Sequence, residues 1–286
     1  MLTQEQHQAR QRFSILVNAR NIDKEVARGA YDDIWTSARS SIRNILQRFA
    51  HQPLAYIEYD LHDLWYTIIQ AATITPADEP AQDKLVTEVV LARELGSLGS
   101  RAKTADGEIW SGLPFLVEDV TVAWREKLMH LQSDRKLNLA AFTARLVAVG
   151  VRAPELGLCA LFVLRETLET PRPLTVGDDS ERDTSVAELL PAAVAWFRFA
   201  GHRLAVFSGG NGSEPLTGEE GELTAVGQLA REAGVLNPGF SDKRWNFWLQ
   251  RLEALSCVDD ENIKEQGRRG KNSMTMWSKY TGLVAE

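Results

Sequence analysis

The stretch that most constrains this chain runs from Asn138 to Glu169, NLAAFTARLVAVGVRAPELGLCALFVLRETLE. It is the best-punctuated and most apolar part of the sequence, and it reads as two short helices folded back on each other. Asn138 is placed to cap the first helix and Gly150 to stop it. Pro154 restarts the chain, and Thr170-Pro171-Arg172-Pro173 ends the second helix. A connection this short makes the two helices antiparallel neighbours. A pair so apolar belongs at the centre of a core, and the remaining segments must supply its cover.

Those segments are helical in pattern. Ala9, Phe13, Leu16 and Val17 place an amphipathic helix over Gln4 to Arg20. A second runs from Asp23, its N-cap, to Phe49, and is loosened at Gly29. Pro53 opens a helix striped with Leu54, Ile57, Leu61, Leu64 and Ile68, and another starts at Pro80 and ends at Gly96. Ser97 to Gly112 is a polar loop in which Ile109 and Trp110 pack back onto the body. Pro114 then opens a helix with the face Leu116, Val120, Trp124 and Leu128. Beyond a charged linker at 174–184, Val186 to Phe207 is helical, although Pro191 should kink or split it. Ser208 to Glu222 reads as a mobile loop, Leu223 to Ala233 and Ser241 to Leu255 as the last helices, and the remainder as a tail. Neither sustained period-two alternation nor an internal repeat occurs, so the fold class is all-α, an irregular multi-helix bundle of about ten helices. With 286 residues, 44% of them hydrophobic, the chain can form one helical domain over 1–286. The 174–184 linker is the place where it would subdivide, into a main body, 1–173, and a C-terminal part, 185–286.

Composition excludes several function classes. A net charge of −7 opposes a sequence-independent grip on nucleic acid, which needs clustered Lys and Arg to displace phosphate counterions. Cys159 and Cys257 sit among apolar neighbours and make no disulfide framework, and the five histidines show no ligand spacing, so no metal is expected. No dinucleotide fingerprint, phosphate loop or nucleophile elbow occurs, so no cofactor is expected either; GRRGKNS at 267–273 has the wrong spacing for a phosphate loop. The start, MLTQEQHQARQ, lacks the apolar core of a signal peptide, and the longest apolar run, Leu156 to Leu164, is too short to span a bilayer. The expected location is the cytoplasm.

The segments QDKLVTEVVLARELGSL, IWSGLPFLVEDVTVAWRE, LNLAAFTARLVAVGV and ALFVLRETLE resemble a fungal family of helical proteins catalogued only as a domain of unknown function. The similarity is strongest over residues 82–169 and extends more loosely from Leu54 to about Leu255. The resemblance implies a helical intracellular protein of a filamentous fungus. It brings no activity, cofactor or catalytic set, so no functional residue is carried over.

The residues must therefore speak for themselves. On a helical wheel Arg165 falls among Leu158, Leu161, Phe162 and Leu168, on the face expected to be buried. A guanidinium there needs an acceptor, either an anionic or carbonyl group of a ligand or, as a structural alternative, Glu169 one turn on. Glu58, His62 and Tyr66 recur at spacings of four, which stacks carboxylate, imidazole and phenol on one stripe suited to general acid–base work, or simply to a wet helix face. Trp65, Trp110, Trp124 and Phe162 are candidates to line an apolar ligand pocket, as against plain core. Glu118 and Asp119 could pair as acid and base, yet negative charge is favourable at a helix N-terminus anyway, and this is the preferred reading. The sequence thus points to a protein that binds a largely apolar small molecule, with Arg165, His62, Glu58 and Tyr66 as the catalytic candidates of a cofactor-independent cyclase or isomerase. The alternative is a protein-interaction or dimerisation module without catalysis.

Overall fold

The computed structural model describes residues 21–29, 31–49, 54–96, 103–104, 106–127, 129–175, 184–210 and 218–283. The all-α expectation holds: apart from a two-stranded ribbon of two residues per strand, the regular structure in these segments is helical. The helix expected at Gln4 to Arg20 and the residues 176–183 of the charged linker lie outside the described residues. The chain falls into two units, Met1–Glu126 and Lys127–Glu286, each with its own core. The 174–184 linker lies inside the second.

Among the described residues, the first unit opens with a helix over 21–28, α1, and continues with α2 (Tyr31–Phe49). Sequence alone joined them, but Gly29 takes a left-handed φ of 69° and donates its N–H to the Val26 carbonyl at 3.1 Å, which ends the first helix. Asp23 consequently lies within α1 and is not an N-cap. α3 (Leu54–Ile74) buries Ile57, Leu61, Leu64 and Ile68 completely and packs on α2, whose Ile34, Ala38 and Ile45 are likewise buried. α4 (Pro80–Glu94) adds Leu85, Val86 and Val89, and ties Glu88 to Arg39 of α2. β1 (Lys103–Thr104) and β2 (Gly107–Glu108) pair antiparallel and lead through a tight segment to α5 (Leu116–Lys127). Leu116, Val120 and Trp124 of α5 are fully buried, as are Ile109 and Trp110 before it.

In the second unit, α6 (Ser133–Ala148) and α7 (Ala153–Leu164) form the expected hairpin around Gly150, whose φ is 81°. Its start differs from the reading above: Asn138 is interior and buried, and the helix begins at Ser133, whose hydroxyl donates to the Glu188 carbonyl at 2.9 Å. A π-helical turn, Arg165–Glu169, ends α7. α8 (Val186–Gly209) is continuous through Pro191, which occupies its second turn, where the missing N–H removes a single hydrogen bond. The expected mobile loop is helical from Gly218: α9 (Gly218–Thr224) and α10 (Gln228–Glu232) replace the single Leu223 to Ala233 helix, because residues 225–227 are drawn aside to Glu169. α11 (Asp242–Leu255) is capped by Ser241. The tail is a further helix, α12 (Glu261–Thr281), packed along α8 and α11.

Candidate functional site

His62 projects from the middle of α3, and its partner comes from α5. Nδ1 lies 2.9 Å from Asp119 Oδ1 and 3.0 Å from Oδ2. A carboxylate only accepts, so Nδ1 carries the hydrogen and donates it. In the neutral ring Nε2 therefore keeps its lone pair, and it has no partner among the described residues. The two side chains are about a fifth exposed, 23% and 20%. Burial opposes the imidazolium, but the hydrogen bond and charge of Asp119, with Glu118 and Glu58 nearby, hold the His62 pKa above its ordinary 6.5. Burial also raises the Asp119 carboxyl, against the pull of the imidazole. The Phe115 ring stacks on the imidazole, with centroids 4.3 Å apart and planes 28° from parallel.

This arrangement brings together some of the expected residues and separates others. Glu58 adds negative potential next to His62. Tyr66 turns to α1, donating its hydroxyl to Asp23 at 2.7 Å, and burial with that contact raises its pKa. Trp65, Trp110 and Trp124 are fully buried, and Trp65 Nε1 donates to the Pro114 carbonyl at 2.7 Å. A cavity of about 320 Å3 elsewhere in this unit, between α1, α2 and α3, is lined mainly by polar side chains, among them Asn21, Ser41, Asn44 and Asp63, and by none of the expected site residues. Among the described residues no group of three or more His, Cys, Asp or Glu side chains could hold a metal ion.

Arg165 and Phe162 belong to the second unit. The wheel reading of Arg165 holds only in part: Leu161 and Leu168 of that face are fully buried, but Arg165 sits at its half-buried edge, because α7 is apolar nearly all round and periodicity cannot then choose the inward face. Leu156, Cys159, Ala160, Val163 and Leu164 face the core, while Leu158, Phe162 and Arg165 share the less buried side. Arg165 is 17% exposed, pairs with Glu166 at 3.0 Å, donates to the Glu222 carbonyl and lies over the Phe162 ring at 5.1 Å.

Glu169 instead meets a residue that sequence reasoning missed. Arg244 Nε and Nη2 donate to its carboxylate at 2.7 and 3.0 Å, Trp248 Nε1 at 2.7 Å and the Gly227 N–H at 2.7 Å. Arg244 also donates to the carbonyls of Thr224, Ala225 and Gly239. Both side chains have zero exposure, and every group is occupied, so this cluster fastens the 225–239 segment to the π turn and leaves nothing for a ligand. No local spacing could reveal it, since the partners are 75 positions apart.

Residues 65–252 match a family described as a protein of unknown function, DUF3632. The chain belongs to this family. A relative in Penicillium oxalicum, "Oxopyrrolidines biosynthesis cluster protein G", is 32% identical over 218 residues, a match taking in 70% of this chain and 60% of the relative. This chain therefore spans less than two thirds of the relative it matches. No solved structure matches the chain. The family span takes in Phe115, Asp119, Glu169, Arg244 and Trp248, and begins at Trp65, about one turn after His62 on α3. No helix among the described residues is long and apolar enough to cross a membrane.

Proposed function

We propose that the protein serves fungal secondary metabolism as a cofactor-independent acid–base catalyst acting on a small molecule. The His62–Asp119 dyad carries this reading. With Nδ1–H committed to Asp119, Nε2 can accept a proton from a substrate C–H or N–H, and the imidazolium so formed is stabilised by Asp119, Glu118 and Glu58. Returning that proton to a different substrate atom is an isomerisation. Letting the deprotonated atom attack within the same molecule before the proton is returned is a cyclisation, and both balance without an oxidant or a cofactor. The raised His62 pKa makes its ring a stronger base than an ordinary imidazole, which favours the uptake of a substrate proton.

The surrounding carboxylates favour a neutral or cationic substrate over a carboxylate or phosphate ester, and the Phe115 ring offers it an apolar contact. The Penicillium relative's assignment to oxopyrrolidine biosynthesis supports a small, nitrogen-containing metabolite as the substrate class. The test is genetic and chemical. Deletion in the producing fungus, followed by complementation with His62→Gln and Asp119→Asn, should leave the product missing and one precursor accumulated, while both variants keep the wild-type circular dichroism. Full production by His62→Gln would overturn the catalytic reading and favour an interaction role.

A further inference from the structure

Between β2 and α5 the chain adopts a backbone that ordinary residues avoid. Trp110, Leu113 and Phe115 all have left-handed φ values, 71°, 47° and 64°. Side chains with a Cβ are disfavoured there, and such a conformation persists only where the surroundings over-determine it. Two side chains do this at a single peptide group. Trp65, from α3, donates to the Pro114 carbonyl at 2.7 Å, and Asp106 Oδ2 accepts the Phe115 N–H at 2.7 Å. The carbonyl and the N–H are the two ends of the same 114–115 peptide, so its plane is pinned from both edges. Upstream, the Gly112 N–H donates to the Glu108 carbonyl at 2.9 Å, and a methyl group at position 112 would meet that oxygen at 2.9 Å. Ile109, Trp110 and Leu113 anchor the segment in the core. The pinned peptide sets the direction of the next side chain, and that side chain is the ring stacked on His62.

We infer that residues 106–115 form a positioning strap for the dyad: Asp106 and Trp65 lock the 114–115 peptide so that Phe115 holds the His62 imidazole in the one orientation that gives Nδ1 to Asp119. Asp106 and Phe115 are thus positioning residues for the acid–base group. The inference rests on the reading of His62 as that group, but it is tested without substrate. A loop that merely closed the chain between β2 and α5 would leave the imidazole unaffected when its hydrogen bonds were cut.

The measurement is 15N and 1H NMR of the histidine side chains in the full-length protein, assigned through His62→Gln. In the wild type, neutral His62 should be almost wholly the Nδ1–H tautomer, with its ring protons moved upfield by the Phe115 ring. Asp106→Ala, which removes the acceptor for the Phe115 N–H, should return those protons toward the positions of an unstacked imidazole and mix the tautomers. Asp106→Asn keeps a side-chain oxygen and should restore most of the wild-type spectrum. Should Asp106→Ala not fold, Phe115→Gly serves instead: it keeps the N–H for Asp106, relieves the left-handed strain and removes the side chain that carries the ring. It should mix the tautomers as Asp106→Ala does. Wild-type shifts and tautomer in Asp106→Ala, or a wild-type tautomer in Phe115→Gly, would overturn the strap. A strap upheld by NMR alongside full metabolite production by His62→Gln would instead remove the catalytic reading and leave the geometry standing.

Discussion

Arg244 and Glu169 are both without exposure, and the carboxylate receives four donors while the guanidinium reaches three further carbonyls. Breaking such a pair from one side leaves a buried charge with too few partners. Arg244→Met should therefore lose about 3–5 kcal/mol of stability in urea unfolding. Arg244→Met combined with Glu169→Gln should lose less than the two single changes added together, because the second removes the orphaned charge. The His62–Asp119 pair makes a different prediction. Its histidine pKa is raised on folding, so the pair's stabilisation is complete below the ordinary 6.5 and is lost as pH rises through the folded value. Urea midpoints should fall as pH rises from 6.5 through the raised folded pKa in the wild type, and this fall should be missing in His62→Gln. The rise in the Asp119 pKa acts separately, above 3.8 in the acid range. Local spacing made His62 legible as a candidate, since it sits on a polar stripe. Its partner was legible only as an acidic residue in the first turn of a helix, where the dipole already accounts for the charge. Arg165 was placed too deep for a converse reason: its helix carries apolar residues on every side, so the edge of the buried face did not stand out.

At the level of elements, the most informative case is α12, read from sequence as a tail. Its polar composition and two internal glycines argue against a helix. The glycines are explained by what they touch. A methyl at Gly267 would meet the backbone of Leu255 and Ser256 at 2.9 and 2.7 Å, and one at Gly270 would meet Leu252 at 3.0 Å and Val194 at 3.2 Å. They let α12 approach α11 and α8 closely, a reason that appears only once the neighbours are in place. On the facing helix, Gly201 makes room for Trp277, whose Nε1 donates to the Phe197 carbonyl at 3.2 Å. Gly201→Ala should cost about 1–3 kcal/mol by overpacking, read as a lower unfolding midpoint, and Trp277→Leu in the same chain should recover part of it. The elements that sequence placed well, α3, α4, α5 and α11, share a stripe of aliphatic or aromatic residues and a recognisable end. The merged or missed ones, α1 with α2 and α9 with α10, are divided by tertiary hydrogen bonds or by a single glycine.

Over the whole molecule, the all-α class was legible because helical periodicity recurs from end to end. The division into Met1–Glu126 and Lys127–Glu286 was not, since it falls at a junction without Pro, Gly or a shift in composition. Each unit encloses three fully buried tryptophans, Trp65, Trp110 and Trp124 in the first and Trp196, Trp245 and Trp248 in the second. The net charge of −7 makes a further expectation at this scale: duplex DNA should show no retardation by the protein at about 0.15 M salt, where Lys- and Arg-driven binding would register. The two cysteines differ in a way that bears on how the molecule can be handled. Cys159 is sealed in the central hairpin, and Cys257 is exposed at the surface after α11. The native chain thus presents a single reactive thiol. A maleimide dye or biotin can be placed there without mutagenesis, far along the sequence from His62, to immobilise or follow the protein with its dyad untouched.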